Sequence, residues 1–109
     1  MATIYKVLGQ LAPSATTATA LYTVPAATSA VCSTLSVCNR AASSATFRIA
    51  VRPAGATLSN EHYLVYDAQV AANDSILLTL GIALATTDVV TVYSSTATTS
   101  YTLFGSEIS

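Results

Sequence analysis

The sequence predicts an all-β domain: an antiparallel β-sandwich of about eight short strands, with a jelly-roll or an immunoglobulin-like arrangement. Apolar and polar residues alternate with a period of two through most of the chain, as in strands that bury one face. These stretches are rich in β-branched and aromatic residues, which favour a pleated, half-buried surface. Short polar segments separate them.

Eight segments show this pattern. The predicted strands cover residues 4–8, 20–24, 30–39, 46–52, 62–70, 75–82, 89–95 and 100–106. In the fourth strand, Phe47, Ile49 and Val51 point to one side, while Arg48 and Arg52 point to the other. The same parity predicts shared faces for Val31, Leu35 and Val37; for Ile76, Leu78, Leu80 and Ile82; for Val90 and Val92; and for Tyr101 and Leu103.

Short links with turn-forming residues join the later strands. Pro53-Ala54-Gly55 follows the fourth strand, Asn73-Asp74-Ser75 separates the fifth from the sixth, and residues 85–88 join the sixth to the seventh. Because these links are short and polar, we expect β-hairpins between neighbouring strands.

The segment 10–20 differs from the rest of the chain. Pro13 interrupts it, Ser, Thr and Ala make up most of it, and it shows no periodicity. Two interpretations stay open: an ordinary surface connection, or an extended arm that becomes ordered against a neighbouring subunit. In either case residues 1–109 form a single sandwich domain, since a chain of this length buries one modest core.

Charged residues are scarce, and this limits the function. The chain has four Lys or Arg and five Asp or Glu residues, whereas 52% of its residues are hydrophobic. General acids, general bases and metal ligands come mostly from ionisable side chains, so we expect no enzyme and no cofactor. A net charge of -1 argues against a nucleic-acid partner. We also expect no membrane partner, and synthesis in a cytoplasm, because neither a long apolar run nor a signal pattern is seen.

The two cysteines lie in one predicted strand. Six residues at about 3.3 Å each place Cys32 and Cys38 about 20 Å apart. A disulfide needs Cα atoms within about 7 Å, so these thiols are not expected to bond to each other. We expect them to be small apolar side chains of a sheet.

Other candidate chemical groups form no motif. His62, Glu61 and Asp67 lie near one another in sequence, but no Gly-x-Ser-x-Gly elbow accompanies them. Structural zinc takes four Cys or His ligands, and this chain has three such residues. We therefore predict no catalytic residue and no metal site, and we place His62 at the start of a strand after a loop.

Arginine and tyrosine are the residues most suited to a contact surface. Arg48 and Arg52 share one face of a strand, about 13 Å apart, and Arg40 precedes that strand. These three form either a solvated face or a site that docks onto an acidic partner surface. Six tyrosines are expected mostly in the core or paired across strands, with one or two at interfaces: Tyr5, Tyr22, Tyr63, Tyr66, Tyr93 and Tyr101.

Several segments carry a resemblance to known proteins. They are Leu21-Tyr22-Thr23-Val24-Pro25-Ala26, Val37-Cys38-Asn39-Arg40, residues 47–53 (FRIAVRP), and the ending from Asp88-Val89-Val90-Thr91-Val92-Tyr93 through Phe104-Gly105. Over nearly its whole length the chain resembles small virion proteins of tailed bacteriophages, cyanophages in particular.

This resemblance implies a non-enzymatic capsid component made in the host cytoplasm. The expected role is a decoration or cement protein, a homotrimer on the capsid exterior that bridges copies of the major capsid protein. Two alternatives stay open. One is a tail, baseplate or fibre-associated virion protein, and the other is a carbohydrate- or receptor-binding module, which would need exposed aromatic rings beside polar groups.

Overall fold

The fold is all-β, as predicted. The computed structural model describes residues 2–109, and each predicted strand has a counterpart within a few residues of its expected bounds. The strands are β1 (Thr3–Leu11), β2 (Thr19–Thr23), β3 (Ser29–Asn39), β4 (Ala45–Arg52), β5 (Tyr63–Val70), β6 (Ser75–Leu84), β7 (Val89–Ser94) and β8 (Thr99–Ile108). Two short 3-10 turns, Pro53–Gly55 and Asn60–His62, lie between β4 and β5.

The eight strands form two four-stranded antiparallel sheets that pack face to face. The first sheet has the order β1-β8-β3-β6, and the second has the order β2-β7-β4-β5. The first strand therefore pairs with the last, the second with the seventh, the third with the sixth and the fourth with the fifth. This is the order of one long hairpin rolled into two sheets, which is a jelly roll rather than an immunoglobulin-like sandwich.

The expectation of hairpins between neighbouring strands is wrong for the later links. Only β4 and β5 are both consecutive and paired, whereas β5, β6 and β7 alternate between the two sheets. The links before β6 and β7 do reverse the chain, with positive φ at Asn73 (52°) and Thr87 (68°). Such turn residues fix the reversal but not the sheet that the next strand joins, which depends on long-range pairing.

The core lies between the sheets and contains most of the predicted inward-facing residues. Among the large side chains, those of Leu35, Phe47, Ile49, Tyr101 and Leu103 are fully buried. The inward residues of the edge strand β6 are partly buried and pack against this core, as expected: Ile76, Leu78, Leu80 and Ile82.

Val31 does not join Leu35 and Val37 as parity predicts. The register of β3 against β8 shifts between Cys32 and Thr34, so Ser33 is an extra residue relative to β8. One extra residue turns the preceding side chains to the opposite face. Cys32 is consequently buried, and Val31 is 39% exposed on the outer face.

Segment 10–20 is divided between two strands and a link. Gln10 and Leu11 belong to β1 and residues 19 and 20 to β2, while residues 12–18 carry the chain from one sheet to the other. Within the link Pro13 is buried, and the backbone N–H of Thr16 donates to the carbonyl of Ser94 at 2.8 Å. An ordering contact with a neighbouring subunit stays a prediction.

One buried amide connects three links at the same end of the sandwich. The Asn39 side-chain nitrogen donates to the carbonyls of Ser43 at 2.8 Å and Ala71 at 3.2 Å. The side-chain oxygen accepts from the Ala41 N–H at 3.1 Å and the Thr98 hydroxyl at 3.3 Å. Asn39 is only 1% exposed, so these bonds replace its contacts with water.

Both cysteines lie on β3 and are free thiols, as predicted. Cys32 is buried and Cys38 is half-buried. Burial raises the pKa of the Cys32 thiol to about 11, because a thiolate in the core would lose its hydration.

Candidate partner-binding surfaces

The outer face of the second sheet carries an arginine–tyrosine cluster, formed by Arg48, Tyr63, Tyr66, Asp67 and Tyr93. Arg48 lies opposite Tyr93 in the register of β4 and β7. Its guanidinium carbon is 4.3 Å from the centre of the Tyr93 ring and 4.1 Å from that of Tyr66. A cation that faces aromatic rings at this distance is attracted by their negative faces.

Asp67 completes the cluster from an irregular point of β5. Arg48 Nε donates to Asp67 Oδ1 at 2.7 Å, and Nη2 donates to Oδ2 at 3.2 Å. The register between β4 and β5 shifts here, and Asp67 has a φ of 54°, which Asp adopts more readily than most residues. Hydrogen bonding to Arg48 lowers the pKa of the Asp67 carboxyl and raises that of the guanidinium.

Beside the cluster, two tyrosines and an asparagine border a shallow groove of about 370 Å³, here called the tyrosine groove: Asn60, Tyr63 and Tyr66. The Tyr63 and Tyr66 rings meet edge to face, with centres 4.9 Å apart and planes at 83°. Tyr66 is 59% exposed. Alternation along the sequence does not group these residues, because Tyr63 and Tyr66 come together at a bulge in β5.

The predicted arginine site is only partly assembled. Arg48 and Arg52 lie on β4, where Arg52 Nε donates to the Thr91 hydroxyl at 3.0 Å and Nη1 to the Ala56 carbonyl at 3.2 Å. Arg40 lies on the link after β3, where its Nε donates to Ser100 Oγ at 2.9 Å. Each guanidinium therefore has partners in its own chain, and Arg40 is the most exposed of the three.

The outer face of the first sheet carries an apolar patch, formed by Tyr5, Val7, Val31 and Phe104. Val7 lies opposite Phe104, and Tyr5 and Val31 flank Ser106 from the strands on either side of β8. Tyr5 is 84% exposed, and the other three are between 38% and 44% exposed. The patch borders a groove of about 580 Å³.

Two β-bulges create this patch. The register of β1 against β8 shifts between Val7 and Gly9, and that of β3 shifts at Ser33. As a result Val7 and Val31 face outward, whereas Leu8 and Cys32 face the core. Strict alternation, which placed Val31 in the core, could not reveal the patch.

The first sheet also ends in an uncharged edge strand. β6 has the sequence SILLTLGIAL, without an ionisable residue, and it pairs only with β3 among the strands described. Natural sheets commonly protect such edges with charge, with proline or with bulges. Here the protection comes from an irregularity at Leu80 and Gly81, where Gly81 has a φ of 107°. Residues 75–79 are regular and open to an added strand.

Hydrogen bonds to the Glu107 carboxylate connect the two sheets. Tyr22 on β2 donates its hydroxyl to Glu107 Oε2 at 2.6 Å, and Lys6 on β1 donates to Oε1 at 3.1 Å. The Tyr22 bond and the Lys6 partner lower the pKa of Glu107, while burial and the carboxylate raise the pKa of the Tyr22 hydroxyl. This arrangement fastens β1, β2 and β8 to one another.

His62 ends the 3-10 turn before β5. Its Nδ1 accepts the backbone N–H of Ser59 at 3.1 Å, so the imidazole closes the turn that presents Asn60 to the tyrosine groove. In residues 2–109, no group of three or more His, Cys, Asp and Glu residues is placed to hold a metal ion. No helix in the same range has the length and apolar character needed to cross a bilayer.

Comparisons with protein-family models, with curated proteins and with solved structures find no match to this chain. The jelly-roll assignment therefore rests on the observed strand order, and the resemblance to phage virion proteins stays a prediction.

Proposed function

We propose that this chain is a non-enzymatic structural protein of a bacteriophage virion and that it decorates the outside of the capsid. Jelly rolls serve as viral capsid domains, among other uses, which is compatible with the resemblance of the sequence to phage virion proteins. A fold by itself does not decide a function. The observation that carries the proposal is the apolar patch.

The apolar patch has the character of a docking surface. Four apolar side chains from three neighbouring strands are exposed together on one sheet face, whereas exposed apolar residues are usually scattered singly. Lys6 is the one charged residue among those that line the groove, and its side chain is bound to Glu107. A partner that covers the patch would gain hydrophobic free energy with little charge to desolvate.

The capsid is the partner that we propose for this surface. A protein that binds the assembled lattice of the major capsid protein, and not its free subunits, stabilises that lattice by mass action. We propose a homotrimer, because three linked copies turn weak contacts into tight attachment. The open part of β6, residues 75–79, offers a second contact through strand addition.

Of the three arginines, Arg40 is the one we assign to an acidic surface of the capsid, because it is the most exposed. Arg48 and Arg52 are held on their own sheet by Asp67 and Thr91.

The test is binding to capsids that lack this protein. Purified chain is added to such particles and bound protein is measured by co-sedimentation. We expect Tyr5→Ser and Val31→Ser to weaken binding by about tenfold or more. Leu64→Ser is the matched control, since Leu64 is 52% exposed but lies on the second sheet. Equal binding by all variants would contradict the role of the apolar patch.

The copy number in the virion separates the head from the tail. Mass spectrometry of purified particles should find on the order of hundreds of copies if the protein decorates the head, and about six or twelve if it belongs to the tail. A low copy number would indicate a tail, baseplate or fibre role instead of capsid decoration.

Light scattering of the purified protein measures its mass in solution and so tests the homotrimer.

A further inference from the structure

We infer that the tyrosine groove, formed by Asn60, Tyr63 and Tyr66, is a binding site for a neutral sugar ring of a surface glycan. This function is separate from capsid binding, since the groove lies on the second sheet and the apolar patch on the first.

The first argument is the chemistry of the lining. A sugar ring presents C–H groups on its faces and hydroxyls around its edge, so it suits an aromatic ring beside polar groups. Tyr66 exposes 59% of its surface, and Asn60 is exposed beside it. No hydrogen bond within residues 2–109 uses the Asn60 amide or the Tyr66 hydroxyl. Both groups are free to bind the hydroxyls of a ligand.

The second argument is rigidity. The Arg48 guanidinium stacks against the Tyr66 ring and is itself held by Asp67 through two hydrogen bonds, while Tyr63 supports Tyr66 edge to face. His62 closes the turn that carries Asn60. A groove whose walls are already fixed loses little conformational entropy when a ligand enters.

The third argument is charge, and it selects the class of ligand. Arg48 is the cation nearest to the tyrosine rings, and the paired carboxylate of Asp67 neutralises it. The lining itself consists of two phenols and one amide. Because the pair has no net charge and the lining has no charged group, neither an anionic group such as phosphate nor a cationic ligand finds an opposite charge at the groove. A neutral polyhydroxylated ring fits these conditions best.

The size of the groove agrees with this class of ligand. About 370 Å³ is near the lower end of the range for small-molecule sites, so one or two sugar units would occupy it. Because the groove is shallow, we expect weak binding to one site and useful strength only when several copies act together.

The test uses the purified full chain. A glycan array identifies bound sugars, and amide chemical shifts are then followed by NMR during titration with methyl glycosides of glucose, galactose, mannose and N-acetylglucosamine. We expect the largest shifts at residues 60, 63 and 66. Tyr66→Ala should weaken binding by about tenfold or more, whereas Tyr66→Phe should retain most of it because the ring remains.

Tyr5→Ala is the matched control, since Tyr5 is an exposed tyrosine on the other sheet. It should leave sugar binding unchanged, and Tyr66→Ala should leave capsid binding unchanged, so the two proposals fail separately. The inference is overturned if no glycan binds, or if sugar binding survives Tyr66→Ala in a folded variant. It is also overturned if residues 60, 63 and 66 bind a protein partner and no sugar.

Discussion

Asp67 holds the Arg48 guanidinium through two hydrogen bonds, Nε to Oδ1 at 2.7 Å and Nη2 to Oδ2 at 3.2 Å. Nineteen positions separate the two residues, and a positive φ at Asp67 directs the carboxylate toward β4. The pair fixes the cation against the Tyr66 and Tyr93 rings, so one carboxylate organises much of the outer face of the second sheet.

Replacing Asp67 with Asn should reduce the loss of stability in acid. Arg48 lowers the pKa of Asp67 in the folded state, so this carboxylate stabilises the fold above its unfolded value of about 3.9. The stabilisation is lost as pH falls through the lower, folded value. Asn removes that pH dependence and tolerates the positive φ.

Urea unfolding midpoints measured from pH 6 downwards would check this prediction. Asp74→Asn is the control, because the Asp74 carboxylate accepts a backbone N–H from Ser75 rather than a guanidinium. If the urea midpoints of the wild type and of Asp67→Asn fall equally as the pH is lowered, the Arg48–Asp67 pair does not contribute to the acid sensitivity of the fold.

Replacing the buried Asn39 with Ala should destabilise the fold by about 2–4 kcal/mol. The change removes all five hydrogen bonds of this buried side chain, four of which connect three links. Denaturant unfolding followed by circular dichroism measures the free energy. Gln69→Ala, at an exposed position of β5, should change stability by less than about 0.5 kcal/mol. A small effect at Asn39 would mean that water replaces the amide.

Gly105→Ala should destabilise the fold by about 2–4 kcal/mol. A Cβ at Gly105 would overlap the backbone carbonyl oxygen of Val31 and press on Leu8 Cδ1, and a backbone atom cannot rotate away. Ser106→Ala, on the other face of the same strand, should be nearly neutral. Thermal unfolding of both variants compares them, and an unchanged midpoint for Gly105→Ala would mean that β3 and β8 can separate at this point.

The two thiols should differ sharply in reactivity. Cys38 is half-buried, whereas Cys32 is fully buried and burial raises its pKa to about 11. Brief treatment of native protein with iodoacetamide at pH 8 should therefore modify Cys38 first, and unfolded protein should react at both sites. Peptide mass spectrometry identifies the modified residue. Preferential modification of Cys32 in folded protein would contradict the burial described here.

Much of the fold could be predicted because most strands obey the rule of alternation. Phe47 and Ile49 in β4, and Tyr101 and Leu103 in β8, face the core as their parity indicates. The connections were harder, since a turn such as the one at Asn73 reverses the chain without showing which sheet follows.

The apolar patch and the arginine–tyrosine cluster were less predictable, because both depend on bulges and on the register between distant strands. Val31 faces outward only because Ser33 is an extra residue. Parity places Arg48 on the polar face of its strand, but its contact with Tyr93, 45 positions away, arises from the pairing of β4 with β7. No local pattern encodes these relationships.

The position of β8 has a consequence for how the protein is made. This strand is the last of the eight to leave the ribosome, yet it lies between β1 and β3 in the first sheet. While the nascent chain lacks β8, β1 has no neighbour in its sheet, and Leu8, which is buried in the folded protein, stays uncovered. We therefore expect slow folding, governed by the closure of the long segment between β1 and β8.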